Sequence, residues 1–162
     1  EAGQGAIFKI YLPRFDEDET EASSEISLET EAVDLTGKGL ILLVEDEEPV
    51  RSFVARALVG KGYTVLEADG GEMALELMRA NSGKIDLMIS DVMMPNMDGA
   101  SLLKEIRAID PRARVIFISG YAEDAFRNND DPLGDFAFLP KPFTLRHLAA
   151  RVKEVMGNRS DG

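Results

Sequence analysis

Ile89-Ser90-Asp91-Val92-Met93-Met94-Pro95-Asn96-Met97-Asp98-Gly99 carries an apolar run, begun at Ile85, Leu87 and Met88, onto a carboxylate and then into a turn. The run reads as a buried strand ending near Asp91. Pro95, Asn96 and the Asp98-Gly99 pair mark the turn, and a helical pattern starts at Ala100. Strand, turn and helix in that order make a βα unit, and in open α/β sheets ligands sit at the carboxyl ends of the strands. Asp91 therefore stands where a reactive side chain belongs. A carboxylate closing a strand also serves as a turn former or helix cap, so the neighbouring units have to decide between the two.

The same unit recurs on both sides. Leu40 to Val44 is apolar throughout, the pattern of a strand covered on both faces. Pro49 falls where a first helical turn tolerates it, and Val50, Phe53, Val54, Ala57 and Leu58 follow as an inward stripe at helical spacing. Gly60 and Gly62 end that helix. Tyr63 to Glu67 reads as a second strand and Gly71 to Ala80 as a second helix, with Met73, Ala74, Leu77 and Met78 inward. After the Ile85 to Ser90 strand, Leu102, Leu103 and Ile106 place a helix ahead of Pro111. Val115 to Ser119 is a fourth strand, followed by a short helix near Glu123 to Arg127 and a loop-like segment from Asn128 to Gly134. Phe136 to Leu139 makes a fifth strand and Leu145 to Met156 a last helix. Repeated βα units without a hairpin signal predict an α/β fold, a doubly wound five-stranded parallel sheet with helices on both faces.

Composition narrows the function classes. With 162 residues, 44% of them apolar, the chain has enough for one core plus appendages. It holds no run of 18 apolar residues, as a membrane-spanning helix would need, and no secretory signal pattern. The absence of cysteine excludes disulfides and thiolate metal sites. A formal charge of -12 argues against direct, non-specific nucleic-acid binding.

That charge is concentrated. Residues 16 to 35 hold nine acids and no Lys or Arg. Such a segment buries too little to order itself, so residues 16–38 are expected to form an acidic flexible linker. The domain proper is then 39–157, with 158–162 a C-terminal tail. Ahead of the linker, Ala6 to Leu12 alternates, with Phe8, Ile10 and Leu12 on one face. One strand cannot fold alone. Residues 1–15 are therefore either a piece of an upstream domain or an edge strand for the domain that follows.

The polar residues at the strand ends can now be gathered. The first strand runs into Glu45-Asp46, the third ends at Asp91, the fourth at Ser119, and Lys141 follows the fifth. Three acids, a hydroxyl and an ammonium are thus expected at one edge. Crowded acids need a cation, and hard oxygen donors with no Cys or His nearby specify Mg²⁺ or a close relative. Each residue has a plain structural role open to it, as a turn former, helix-terminus acid or solvated charge. Their convergence on the correct edge favours a site.

The segment from Gly39 to about Met156 resembles a response-regulator receiver domain, of the flavodoxin-like class with strand order 2-1-3-4-5. The matching motifs are Leu-Leu-Val-Glu-Asp-Glu (42–47), Ser-Asp-Val-Met-Met-Pro-Asn-Met-Asp-Gly (90–99), Phe-Ile-Ser-Gly-Tyr-Ala (117–122) and Leu-Pro-Lys-Pro-Phe (139–143). The resemblance implies that Asp91 is the phosphoacceptor. It also implies that Asp46 and Asp91 bind Mg²⁺ with the backbone carbonyl of Met93, Glu45 acting through water. Ser119 would contact the phosphoryl group, Lys141 would pair with it, and Phe138 would take the place of the aromatic switch. Glu45 stands where many receivers have Asp, and Phe138 where Tyr is commoner, which removes a switch hydroxyl. A cis Lys141-Pro142 peptide is also implied. Met93 and Tyr121 are expected to hinder water in line with the phosphoryl group, giving slow hydrolysis.

The segment Gly-Gln-Gly-Ala-Ile-Phe-Lys-Ile-Tyr-Leu-Pro-Arg (3–14) resembles the closing strand of histidine-kinase ATP-binding domains. With the linker and receiver it resembles the end of a hybrid histidine kinase, of the kind found in alphaproteobacterial cell-cycle control. The partners so implied are a histidine phosphotransferase and the kinase's own histidine-bearing dimerisation domain. They are expected to dock across the first helix and the adjacent loops, near Arg51, Ala55, Met94 and Phe143. With no output domain after Gly162, a relay is expected rather than an output switch. The location implied is cytoplasmic, compatible with a full-length kinase anchored in the inner membrane. A stand-alone or differently fused receiver is the alternative, as is a docking module that is never phosphorylated. A haloacid-dehalogenase-type phosphatase would want a second Asp two residues after Asp91, and position 93 is Met.

Overall fold

A computed structural model of the chain describes residues 34–120 and 134–157. In it, β1 (Leu40–Val44), β2 (Thr64–Ala68), β3 (Leu87–Asp91), β4 (Val115–Ser119) and β5 (Ala137–Pro140) form one parallel sheet in the order 2-1-3-4-5. The described helices are α1 (Glu48–Val59), α2 (Gly71–Ala80), α3 (Gly99–Ile109) and α4 (Leu145–Gly157). The expected strand at 6–12, the linker up to Val33, the helix near 123–127, Tyr121 and the tail lie outside the described residues.

The solid apolar runs are explained by two separate cores. Along β1, Ile41 and Leu43 pack with Val54, Leu58, Leu148 and Val152 on the face covered by α1 and α4. Leu42 and Val44 point the other way, to Ala74, Met78, Leu102 and Ile106 of α2 and α3. Period-two alternation with helices on both sides leaves no position for a polar residue until the strand ends. Leu102, Leu103 and Ile106 are fully buried, as their spacing predicts.

Two helices are turned relative to expectation. On α1 the buried residues are Val54, Ala55 and Leu58, while Phe53 is 51% exposed. On α2 they are Gly71, Ala74, Leu75 and Met78, while Met73 is 42% exposed. The expected stripes share only part of their residues with the real ones, because small residues such as Ala55 fit a stripe or its neighbour equally well.

Local signals at the turns hold. Pro49 lies in the first turn of α1. The Asp98 side chain caps α3 by accepting from the Ser101 N–H at 2.7 Å. Gly99 is required by close approach: a Cβ there would meet the Asp91 carbonyl oxygen and the Phe117 ring, each at 2.8 Å. Ahead of β1, residues 34–38 already touch the domain, with the Gly37 N–H donating to the Lys61 carbonyl at 2.9 Å and Lys153 pairing with Asp34. The Lys141-Pro142 peptide is cis, as expected.

Candidate functional site

Register sets the site. Val44 is level with Ser90, Asp91 with Ile118, and Ser119 with Pro140. With strands about 4.8 Å apart, the next residues, Glu45, Asp91, Ser119 and Lys141, come out along one edge of the sheet. Glu45, Asp91 and Ser119 are buried there, at 3%, 9% and 1% exposure.

Lys141 joins the two buried carboxylates. Its Nζ donates to Asp91 Oδ2 at 2.6 Å and to Glu45 Oε2 at 3.3 Å. The other Asp91 oxygen, Oδ1, accepts from the Met93 N–H at 3.0 Å. Burial pushes the Glu45 carboxyl above its ordinary value; Lys141 opposes that shift and the Asp91 charge adds to it. Burial pulls the Lys141 ammonium down, but the bonds and charges of Asp91 and Glu45 outweigh it, and the net shift is upward. The proton therefore stays on the lysine, and Asp91 faces it as an acceptor.

The expected trio of acids is only partly assembled. Asp46 is half-buried and lines an adjoining cavity of about 370 Å³ with Asp69, Glu72, Met73, Asn96 and Met97. Among the described residues no three acidic or histidine side chains surround one point as metal ligands. Like charges stay apart unless a cation lies between them, and the ammonium lies between Glu45 and Asp91. The donor set still fits a hard divalent cation, because the oxygen donors of Asp91, Asp46 and Glu45 lie along one strand-end edge and the one ammonium there offsets only part of their charge. Met93 is 60% exposed at the mouth of this edge, and Phe138 is buried in the core beneath α2 and α3.

The sequence model for the response regulator receiver domain matches residues 41–153. The chain belongs to the response regulator receiver family. It is 47% identical over 160 residues to the sensor kinase CckA of Brucella abortus (strain 2308), which covers 96% of this chain and 17% of the kinase. The chain thus spans about a sixth of the length of that relative. Among solved structures, the receiver domain of the hybrid histidine kinase CckA is 48% identical, with a TM-score of 0.62 over 73% of this chain and 99% of that one. The receiver domain of the sensor histidine kinase PA1611 from Pseudomonas aeruginosa PAO1 is 28% identical, with a TM-score of 0.65 over 75% of this chain and 99% of that one. That structure is described with a magnesium ion coordinated in the active-site cleft.

As a receiver of two-component signalling, the chain holds its acids, hydroxyl and lysine at the edge expected from the sequence. Three residues of the expected docking face do not belong there. Ala55 and Met94 are buried, at 5% and 9% exposure, and Arg51 turns inward. Residue 55 points to the sheet because α1 is rotated, and Met94 fills the core under the β3–α3 loop. Arg51 is also the residue that the sequence missed as part of the site. Its Nη1 donates to the Glu45 carbonyl at 2.7 Å, a contact with a backbone atom that leaves no trace in residue types.

Proposed function

We propose that this receiver takes a phosphoryl group on Asp91 and exchanges it with a histidine in a phosphorelay. The observation that carries this is the 2.6 Å contact between Asp91 Oδ2 and the Lys141 ammonium at the buried end of β3. An Asp91 oxygen attacks phosphorus while the bond from phosphorus to the donor nitrogen or oxygen breaks, and the leaving group takes the electron pair. Lys141 then carries charge for the phosphoryl oxygens in place of the carboxylate. Ser119, at the end of β4, donates to one of them. Phe138 is the residue that repacks when Ser119 shifts toward the new group.

Asp46 and Asp91, with the Met93 carbonyl and Glu45 through water, are the residues that would hold Mg²⁺. When bound, the ion neutralises developing charge on the phosphoryl oxygens. The rest is positioning by a rigid sheet edge, which is why few side chains suffice.

The likeness to CckA covers 96% of this chain, more than residues 34–162 alone provide, so it extends into the N-terminal segment. That supports the end of a hybrid histidine kinase as the source of this chain. The partners would be a histidine phosphotransferase and the kinase's own dimerisation domain. Their contact surface is redrawn to the exposed face of α1 around Phe53, together with the half-buried Phe143 after β5.

Incubation with a small acyl phosphate and Mg²⁺ should add one phosphoryl group by intact mass. Asp91→Asn should add none. Equal labelling of the two proteins would overturn the assignment.

A further inference from the structure

Glu45, Asp46, Glu47 and Glu48 place four acids in succession from the end of β1 to the first residue of α1. Backbone that carries so much like charge has no reason of its own to hold one geometry. Arg51, one turn into α1, reaches back over it. Its Nη1 donates to the Glu45 carbonyl at 2.7 Å and lies 3.5 Å from the Asp46 carbonyl. Its Nε lies 3.7 Å from the Glu67 carboxylate on β2, and the side chain is only 16% exposed. The Glu45 N–H is meanwhile fixed to the Ala68 carbonyl at 3.1 Å. Both main-chain polar groups of Glu45 are thus held, the N–H by the β2 backbone and the carbonyl by a planar guanidinium.

We propose that Arg51 is a positioning residue for phosphoryl transfer: by holding the Glu45 carbonyl, with the Asp46 carbonyl at the limit of its reach, it fixes the backbone from which both carboxylates would serve Mg²⁺ beside Asp91. This rests on the phosphoacceptor function proposed above. A guanidinium is suited to the task because its fork reaches the Glu45 carbonyl from Nη1 while Nε faces the Glu67 carboxylate in fixed geometry, whereas an ammonium is a point charge on a flexible stem.

Charge and geometry make opposite predictions here. As a mere counter-charge, Arg51 would repel a divalent cation, and its loss would tighten Mg²⁺ binding. As a positioning residue, its loss should loosen binding roughly tenfold or more, the usual effect of removing a group that orients metal ligands. Arg51→Met removes the charge and keeps the stem; Arg51→Lys keeps the charge and loses the fork.

Calorimetric titration of the full chain with Mg²⁺ should show both variants weakened. The Arg56→Met control, on the exposed face of the same helix, should match wild type. In acyl-phosphate labelling, both Arg51 variants should need correspondingly more Mg²⁺ to reach half-maximal rate. Unchanged or tighter Mg²⁺ binding in Arg51→Lys would overturn the proposal, and that variant decides alone if Arg51→Met does not fold. Wild type that binds Mg²⁺ but is not labelled would count against the phosphoacceptor function and leave the calorimetric comparison to judge Arg51.

Discussion

Each of the two edges of this sheet carries a half-buried cation facing oxygen acceptors, Arg114 at one and Lys141 at the other, and the two are used in opposite ways. At the amino-terminal edge Arg114 donates from Nε to the Asp86 carbonyl at 3.1 Å and from Nη1 to the Val155 and Met156 carbonyls at 3.2 Å each. All three acceptors are backbone, and the last two lie in the final turn of α4, where helix carbonyls lack intrahelical partners. At the carboxyl-terminal edge Lys141 faces two carboxylates instead. Backbone acceptors cannot leave or change charge, so the Arg114 edge is a fastening. Carboxylates can be phosphorylated, protonated or bound by a metal, so the Lys141 edge is able to change state. The difference assigns stability to one end of the strands and chemistry to the other.

The comparison would be broken most sharply by Lys141→Met. Removing a preorganised charge at a reacting oxygen costs about a hundredfold or more in rate, so initial acyl-phosphate labelling should fall by that much in a protein that still folds. Arg114→Met should do the reverse. It leaves three carbonyls without their charged donor and should cost about 2–3 kcal/mol in denaturant melts, with labelling of the folded fraction unchanged. If Arg114→Met slowed labelling and left stability intact, the two edges would not divide as described.

A smaller effect sharpens the account of the reactive edge. Because the Glu45 carboxyl is raised in the folded chain, the native state binds more protons than the unfolded one between the ordinary glutamate value and the raised one. Stability from this group therefore falls as pH rises through that window. In chelator, Glu45→Gln should remove that part of the decline, seen as a flatter curve of melting temperature against pH. An unaltered slope would place the cost of the charged edge elsewhere.

How much of this was legible follows the same division. The inner strands β1, β3 and β4 were readable because both their faces are buried, so each shows as a short apolar run such as Leu40 to Val44 between turn signals. Glu45, Asp91, Ser119 and Lys141 were readable because polar residues interrupt those runs at the strand ends. The inward face of α1 was readable only in part. Val54 and Leu58 were expected inward and are, but Phe53 was placed there in the stead of Ala55, and only packing against the sheet chooses between the two flanks of that stripe. Arg51 was misplaced for a related reason. A charged residue on a helix reads as solvent-facing unless its partners are known, and these are mainly main-chain carbonyls.

The central claim is that Asp91 alone accepts phosphate, and its chemistry permits a direct test. An aspartyl-phosphate is reduced by borohydride to homoserine, which marks the modified position permanently. After acyl-phosphate labelling with Mg²⁺ and reduction, peptide mapping by mass should find homoserine at position 91 and at no other acid. Homoserine at Glu45's neighbour Asp46 or at Asp69, or none anywhere in protein shown to be labelled, would contradict the account.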